Sequence, residues 1–461
     1  MGVFGIVLSL VLLMYLAYRG INVLVLAPVL ALLAALLGGD LRLLATYTQI
    51  FMTGLGGFLV RYFPLFLLGA IFGRLMADSG SAAAIAERIV EKLGSDRAVM
   101  AIVLACAILT YGGVSVFVVA FAVYPVAVAL FRRAGTPKRL IPGAILLGSA
   151  TFTMSAIPGT PAIQNAIPMP FFGTDAFAAP ILGTLAGIVM FAVGAVWFAY
   201  RVRVAASARE GYGHHPMDRE DETPAVNRPS FAVAVAPIVT VIAVNYLVTR
   251  LVIPVLDVSY LAEPKYGSVS LEDVRGIWSL IVAMTAAIVG AMALHAKRWS
   301  NLNHSLNQGT MSSLLPIFNT ASEVGYGSVI ASLSAFAAIQ AAVVGLFPEN
   351  PLISEAIAVN VMAGVTGSAS GGLSIALNML GAKYLELATA AGIDPQLLHR
   401  VAVIASGGFD SLPHNGVVIT LIGICRLTHR ESYLDIFIVT VLGPLLALAA
   451  ALAMGTMFGA F

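Results

Sequence analysis

Charged residues are scarce in this sequence. Asp, Glu, Lys and Arg together make up 10% of the 461 residues, whereas hydrophobic residues make up 59%. Soluble domains carry roughly 25% charged residues. The mean hydropathy of +0.94 points in the same direction. The composition therefore predicts a polytopic membrane protein and argues against a soluble globular domain.

Cysteine and basic clusters are also nearly absent. Cys106 and Cys425 lie in apolar runs, without a CxxC pair or a nearby histidine cluster, so we expect neither a disulfide framework nor a metal site. The net charge is only +2, and no basic run is interleaved with aromatic residues as a nucleic-acid groove would require. The chain also lacks a nucleophile-and-base set and a cofactor motif. We therefore predict no cofactor, no metal, no nucleic-acid partner and no enzymatic activity.

Long apolar runs are what the chain has in abundance. A helix that crosses a bilayer needs roughly 17–25 apolar residues, or slightly fewer when polar side chains reach out from its ends. By this criterion we predict an all-α protein with ten spans, two of them broken: residues 3–18, 23–37, 59–77, 140–170 (broken), 176–200, 231–248, 277–296, 311–330, 401–424 (broken) and 434–461.

Two further apolar stretches, 98–131 and 353–390, are too long for one crossing. Each has small residues at its middle, Thr-Tyr-Gly-Gly-Val-Ser at 110–115 and Thr-Gly-Ser-Ala-Ser-Gly-Gly at 366–372. Irregular backbone is tolerated at membrane depth only where protein or a water-filled cavity surrounds it. Each stretch is therefore predicted to be a re-entrant helical hairpin, with two thin spans as the alternative.

The two broken spans contain strong helix breakers. Residues 155–161 read Ser-Ala-Ile-Pro-Gly-Thr-Pro, and residues 406–416 read Ser-Gly-Gly-Phe-Asp-Ser-Leu-Pro-His-Asn-Gly. Proline and glycine at this density make a continuous helix unfavourable. We predict broken helices at 140–170 and 397–425, and discontinuous helices at the bilayer midplane are where secondary transporters bind their substrates.

The two halves of the chain repeat one pattern. Pro158 and Pro413 are separated by 413 − 158 = 255 residues, and the hairpin tips at Gly112 and Gly367 by 367 − 112 = 255. Five crossings per half is an odd number, so the second half is predicted to be inverted relative to the first. The predicted units are a first repeat at 1–204, a cytoplasmic linker at 205–230 and a second repeat at 231–461.

Basic residues set the predicted orientation. If the N-terminus is outside, every strong cluster of Lys and Arg falls on the cytoplasmic side, as the positive-inside rule requires. Both termini are therefore predicted to lie outside the bacterial inner membrane. Residues 79–93 combine an apolar face with a charged face, which predicts an interfacial helix on the cytoplasmic surface, with a solvated loop helix as the alternative.

Several short sequence segments resemble those of the gluconate permease (GntP) family. They are Asn-Thr-Ala-Ser-Glu-Val-Gly-Tyr-Gly at 319–327, Gly-Ser-Ala-Ser-Gly-Gly-Leu-Ser at 367–374, the break at 406–416, and Phe-Gly-Arg-Leu-Met-Ala-Asp-Ser-Gly at 72–80. The chain is most similar to the branch for short hydroxy acids such as 3-hydroxybutyrate. The resemblance implies a cation-coupled carboxylate symporter with the inverted-repeat fold of the ion-transporter superfamily, typically a dimer that works by an elevator motion. The sugar-acid carriers of the family have a different segment at 410–416, which disfavours gluconate itself.

Helices that restart after the tips and breaks would direct free N–H groups and a positive dipole end towards an anion. Polar side chains at these places would orient carboxylate and hydroxyl groups, although the same residue types also cap helices. Neither break contains Lys or Arg, which favours a monocarboxylate. The predicted substrate-binding residues are Gly112, Gly113, Ser115, Thr160, Gln164, Asn165, Ser368, Ser370, Asn415 and Thr420.

Two acidic residues, Glu323 and Asp410, lie deep in predicted spans. A charge at that depth costs at least ~2.5 kcal/mol unless it is paired or hydrated. We predict that one of them, tuned by His414, binds a coupling proton. A Na⁺ site built from Asp410 and neighbouring carbonyls is the alternative, and a cation/proton antiporter on the same fold is a rival function. A channel is disfavoured because two hairpins would seal the site.

Overall fold

The computed structural model describes residues 2–215, 228–345, 347 and 350–460, and these ranges contain helices but no strands. Most of the predicted linker, residues 216–227, lies outside them. The helices of the first half are α1 (Gly2–Tyr18), α2 (Val23–Leu37), α3 (Leu43–Asp78), α4 (Ser81–Leu93), α5 (Ala98–Tyr111), α6 (Val116–Ala134), α7 (Ile141–Ser149), α8 (Phe152–Ser155), α9 (Ile163–Ala166), α10 (Met169–Phe172) and α11 (Pro180–Ser207).

The second half repeats this order with fewer short pieces in its broken span. Its helices are α12 (Phe231–Val255), α13 (Leu271–Leu294), α14 (Leu302–Ser332), α15 (Phe336–Gly345), α16 (Pro351–Thr366), α17 (Ala369–Ala390), α18 (Pro395–Ser406), α19 (Gly416–Ile424) and α20 (His429–Phe458).

Within the described ranges, six helices are long and apolar enough to cross a membrane, namely α3, α6, α11, α12, α13 and α20. Two bent pairs, α4 with α5 and α14 with α15, raise this number to eight at most. Helices α1 and α2 form where spans were predicted, but they have only 17 and 15 residues. The prediction of an all-α chain with several membrane-spanning helices is confirmed.

Both predicted hairpins are present. Hairpin one consists of α5 and α6 with its tip at residues 112–115, and hairpin two consists of α16 and α17 with its tip at 367–368. The first arms, α5 and α16, have 14 and 16 residues, which gives lengths of about 21 and 24 Å at 1.5 Å per residue. Both are shorter than the roughly 30 Å hydrocarbon core, whereas the second arms, α6 and α17, have 19 and 22 residues; these lengths do not separate re-entrant hairpins from thin spans.

Both broken spans are present as well. Break one is the segment 156–162 between α8 and α9, and break two is the segment 407–415 between α18 and α19. The helices after the two breaks differ in length. Helix α19 runs for 9 residues, whereas α9 has 4 residues and ends just before Pro168. Break one is therefore followed by single helical turns, whereas break two is followed by a helix of more than two turns.

Helix α4 has the two faces that its sequence predicts. Ala82, Ile85 and Ala86 are buried, while Arg88 and Lys92 are exposed. A bend of 109° separates α4 from α5, and in the second half a bend of 97° separates α14 from the short helix α15. These short helices thus run across the direction of their neighbours, an arrangement that agrees with a helix lying at the membrane surface.

Helices α3 and α14 pack closely through glycine. A β-carbon at Gly54 would overlap Ser328, and a β-carbon at Gly325 would lie 2.8 Å from the Phe51 carbonyl oxygen. Small residues let the backbones of membrane helices approach closely, which is how such helices associate in lipid. The glycines of α3 and α14 therefore join the first half of the chain to the second.

A buried carboxylate fastens α20 to α11 and to the turn before α7. Asp435 is fully buried and accepts hydrogen bonds from Arg201 at 2.7 Å, Trp197 at 2.9 Å and Arg139 at 3.2 Å. Arg139 also donates to Glu210 at 2.7 Å, and this bond lowers the pKa of the Glu210 carboxyl below its ordinary value. The network compensates the buried charge of Asp435.

We expect Asp435→Asn to lower the free energy of unfolding by about 1.5–3 kcal/mol, the usual contribution of a hydrogen bond to a charged group. The amide keeps the shape of the carboxylate but leaves Arg201 without its counter-ion, while Arg139 keeps its bond to Glu210. Thermal unfolding in detergent should show this as a lower midpoint. Glu386→Gln is the control, since Glu386 pairs with Lys383 on an exposed surface. Equal midpoints for the two variants would contradict the role of Asp435.

Candidate functional site

Hairpin two and break two meet at Asn415. The Nδ2 group of this buried side chain donates to the carbonyl oxygens of Gly367 at 2.8 Å and Asp410 at 2.9 Å. Its Oδ1 atom accepts from the amide of Val418 at 2.9 Å and so caps α19. One side chain therefore caps a helix and holds the hairpin tip against the break.

Glu323 of α14 lies against the first turn of α17. A β-carbon at Gly371 would overlap its carboxylate, so any larger residue there would displace the Glu323 side chain. Glu323 is 3% exposed, and its Oε2 atom has no hydrogen-bond partner among the described residues. Close by, the hydroxyls of Thr320 and Ser370 lie 3.4 Å apart. A carboxyl group thus occupies the positive end of a 22-residue helix.

The other two predicted ion-coupling residues lie in break two. Asp410 is buried and accepts a hydrogen bond from the Ser411 hydroxyl at 3.0 Å. The ring of His414 packs on Gly367, where a β-carbon would lie 2.9 Å from Nε2. That nitrogen has no hydrogen-bond partner in the described part of the chain. His414 and Glu323 therefore flank the same hairpin tip, each with an unsatisfied polar atom.

Hairpin one meets break one in a similar way. The Tyr111 hydroxyl donates to the Pro158 carbonyl oxygen at 2.8 Å. Gly113 has a φ of +94° and lies against Pro161, a position where an L side chain would be strained. The Thr160 hydroxyl accepts from the Ala162 amide at 3.3 Å within the break itself.

The two breaks touch each other. A β-carbon at Gly407, at the start of break two, would lie 3.1 Å from the Ser155 hydroxyl, just before break one. Arg400 of α18 reaches the same region, donating to the Ala156 carbonyl oxygen at 3.2 Å and to the Ala178 carbonyl oxygen at 2.7 Å. The broken spans of the two halves are thus in direct contact.

The predicted substrate residues separate into groups. Ser368, Ser370 and Asn415 cluster at the tip of hairpin two, together with Glu323, Asp410 and His414. Gly112, Gly113 and Thr160 lie at the tip of hairpin one and in break one. Gln164 is half-buried on α9, while Ser115 and Thr420 are exposed.

Asn165 belongs to an internal network instead. Its amide donates to the carbonyl oxygens of Thr160 and Ala176, both at 3.0 Å. Its Oδ1 atom accepts from Arg400 at 3.2 Å and lies 3.1 Å from Nε2 of His399. All its polar atoms are therefore engaged by protein, and these bonds hold break one in place.

Sequence reasoning missed three buried polar residues. Arg400 and His399 precede break two, and no residue next to them in sequence hints at partners in the first half. Glu355 of α16 is fully buried, and neither of its carboxyl oxygens has a hydrogen-bond partner within the described ranges. Its signal was readable, because it is an acidic residue in the apolar stretch 353–390. Among the described residues, no group of three or more His, Cys, Asp or Glu side chains could hold a metal ion.

The geometry, with hairpins and broken helices in contact, is typical of a membrane transporter, and the family comparisons decide which one. The profile described as GntP family permease matches residues 1–382. YxjC of Bacillus subtilis, named an uncharacterized transporter, is 43% identical over 451 residues, which cover 95% of each chain. This chain belongs to the GntP family of permeases.

Other similarities of the permease are more distant. An uncharacterized transporter of Haemophilus influenzae is 27% identical over 355 residues, 76% of this chain and 74% of its own. The YdaH transporter of Alcanivorax borkumensis superposes with a TM-score of 0.56 at 19% identity, covering 91% of this chain and 89% of its own. MtrF of Neisseria gonorrhoeae, described as illuminating a class of antimetabolite efflux pumps, gives 0.55 at 11% identity, covering 91% and 85%. At these identities the structures show a shared fold, and the permease is an integral membrane transporter.

Proposed function

We propose that the permease is a secondary active transporter that imports a small organic monocarboxylate together with a cation, most simply H⁺. The observation that carries the proposal is the meeting of hairpin two, break two and the unpartnered Glu323 carboxyl. Two helix N-termini, those of α17 and α19, lie on either side of Asn415, which bonds to Gly367 and caps α19. This arrangement provides donors for an anion and an ionisable group beside them.

Free backbone donors support an anion site. At the start of α17 the Gly371 amide is bonded to the Ser368 side chain, and at the start of α19 the Val418 amide is bonded to Asn415. Within the described ranges, the preceding amides of Ser370 and Val417 have no protein acceptor. Unpaired N–H groups at the positive end of a helix are a ready site for a carboxylate.

Neighbouring hydroxyls support a hydroxy acid. Ser368, Ser370 and Thr320 lie at the same tip, with Oγ separations of 3.5 Å and 3.4 Å along the row. Arg400 is the nearby buried cation, but its guanidinium already makes four hydrogen bonds to protein oxygens. A substrate with one carboxylate and a hydroxyl group, such as 3-hydroxybutyrate or a gluconate-like acid, fits these groups better than a dicarboxylate.

The position of Glu323 supports proton coupling. Ionised Glu323 and a substrate carboxylate would compete for the backbone N–H groups at the start of α17. Two anions in one buried site also repel each other. Protonation of Glu323 removes the competitor, so proton and substrate bind together. Na⁺ held by Asp410 and nearby carbonyls is the alternative, and a cation/proton antiporter would use the same residues without an organic substrate.

The arrangement of the two halves is compatible with an alternating-access mechanism, in which the site faces each side of the membrane in turn. We propose that residues 1–204 and 231–461 are inverted repeats, that the linker at 205–230 is cytoplasmic, and that the permease is a homodimer in the bacterial inner membrane with both termini outside. The hairpins and broken helices would move together as an elevator past the pair α3 and α14. The bends before α5 and after α14 would serve as the connections to that moving part.

Uptake into proteoliposomes tests the proposal. We expect saturable uptake of one or more members of a panel of gluconate, glycerate, lactate, 3-hydroxybutyrate and citrate, driven by an inward pH gradient and independent of Na⁺. Uptake that requires Na⁺ at every pH would show that Na⁺, and not H⁺, is the coupling ion. Dissipation of a pH gradient by Na⁺ without any carboxylate would instead show an antiporter and overturn the proposal.

A further inference from the structure

Glu355 is an ionisable group that the proposed site does not use. It lies on α16, one turn from the start of hairpin two at Pro351. The side chain is fully buried, and neither carboxyl oxygen has a hydrogen-bond partner among the described residues. Buried polar groups in native proteins are nearly always hydrogen-bonded, so an exception requires an explanation.

Tyr384 of α17 shares this environment. Its side chain is fully buried, its hydroxyl has no hydrogen-bond partner in the described part of the chain, and it interacts electrostatically with Glu355. The two residues belong to opposite arms of hairpin two. A buried carboxyl and a buried phenol, each without a hydrogen-bond partner among the described residues, therefore belong to the two arms of one hairpin.

Within the described ranges, no other charge faces Glu355. On α17, Lys383 and Glu386 are exposed and paired at 2.8 Å, and on α18, His399 and Arg400 are engaged with Asn165. Helix α15 has no titratable residue, and Tyr15 of α1 is exposed. The ionisable residues of α20 lie in its first two turns, where Asp435 binds Arg201. An ionised Glu355 would thus be an uncompensated charge in an apolar interior, which costs several kcal/mol.

Glu355 is also distant from the proposed coupling site. Twelve residues of helix separate it from Gly367 at the hairpin tip, which corresponds to about 18 Å at 1.5 Å per residue. This is more than half of the roughly 30 Å hydrocarbon core. The carboxyls of Glu355 and Glu323 therefore lie at opposite ends of hairpin two.

We propose that Glu355 is a second proton-binding site at the base of hairpin two, separate from the group at the tip. It rests on the proposed proton coupling and places a proton-carrying group at another depth of the membrane. Glu355 holds a proton in the conformation described here and releases it when hairpin two moves and the base becomes hydrated.

Infrared difference spectroscopy tests the site without a substrate. The purified permease, reconstituted in lipid, is stepped between pH 5 and pH 9, and the C=O stretching band of protonated carboxyl groups is recorded. We expect a component of this band that decreases at high pH, shifts on ¹³C-glutamate labelling, and is absent from the spectrum of Glu355→Gln. The isosteric amide keeps the fold, and monodisperse elution of the variant checks this.

Two variants serve as references. Glu386→Gln should leave the band unchanged, and Glu323→Gln should remove only its own contribution. An unchanged spectrum in Glu355→Gln would overturn the proposal, as would a Glu355 band that persists at full strength up to pH 9, since that describes a permanently neutral acid. Because the spectroscopy uses no added carboxylate, it can detect protonation of Glu355 even if none of the panel is taken up. Uptake of a carboxylate, in turn, does not depend on the Glu355 band.

Discussion

Glu323→Gln should abolish the uphill accumulation of substrate while preserving exchange across the membrane. Glutamine keeps the shape of the side chain against Gly371 and the first turn of α17, but it cannot bind or release a proton. One coupled proton with a pH gradient of one unit can sustain about tenfold accumulation, since 1.4 kcal/mol corresponds to a factor of ten. We expect the accumulation ratio to fall from about tenfold to about one.

The assay compares two quantities in the same proteoliposomes. Net uptake driven by a pH gradient should be lost, and counterflow of labelled against unlabelled carboxylate should remain. Glu386→Gln, which changes an exposed acid of hairpin two, should behave as wild type in both. Accumulation by Glu323→Gln at the wild-type level would remove this residue from the coupling mechanism. If Asp410→Asn loses accumulation and Glu323→Gln does not, the coupling proton binds at Asp410 in break two.

Arg400→Met should strongly destabilise the permease. The guanidinium is fully buried and supplies hydrogen bonds to the carbonyl oxygens of Ala156 and Ala178 and to Asn165. Methionine fills part of the space but leaves these acceptors without a donor. Leaving a buried acceptor without its donor typically costs about 1–3 kcal/mol, and several acceptors are affected at once. We expect a lower midpoint of thermal unfolding in detergent and little uptake in proteoliposomes.

Arg250→Met is the matched control. Arg250 pairs with Asp175, but its side chain is about half exposed and its guanidinium lies 3.9 Å from the carboxylate oxygen. Exposed pairs of this kind contribute roughly 0–1 kcal/mol. If both variants unfold at the same temperature, the hydrogen bonds of Arg400 do not hold break one in place. Partial recovery in Arg400→Lys would show that charge alone replaces some of them.

The elements that the sequence predicts well depend on local chemistry. Glycine and proline interrupt a helix wherever they occur, so both breaks and both hairpin tips were visible from residue types alone. The same holds for Glu323, because an acidic residue inside an apolar run is conspicuous. Ser368 and Asn415 were predicted at tips, and the structure shows that both also cap helices, the role that sequence alone could not separate from ligand binding.

What the sequence does not reveal depends on distant contacts. Arg400 bonds to Ala178 and Ala156 across 222 and 244 residues, and no pattern near it indicates this. Asn165 was predicted to face the substrate, and only its partners show that protein oxygens and donors already satisfy it. The short α9 had a local signal in Pro168 and Pro170. It was overlooked because the repeat predicted a helix like α19 at the same place.

The most direct test is a structure of the permease with the carboxylate that the uptake panel identifies. The account predicts the carboxylate group at the meeting of hairpin two and break two, with its oxygens about 2.7–3.2 Å from the amide nitrogens of Ser370 and Val417. The Glu323 carboxyl should be displaced from the start of α17. A carboxylate bound elsewhere, with Glu323 still against Gly371, would contradict it.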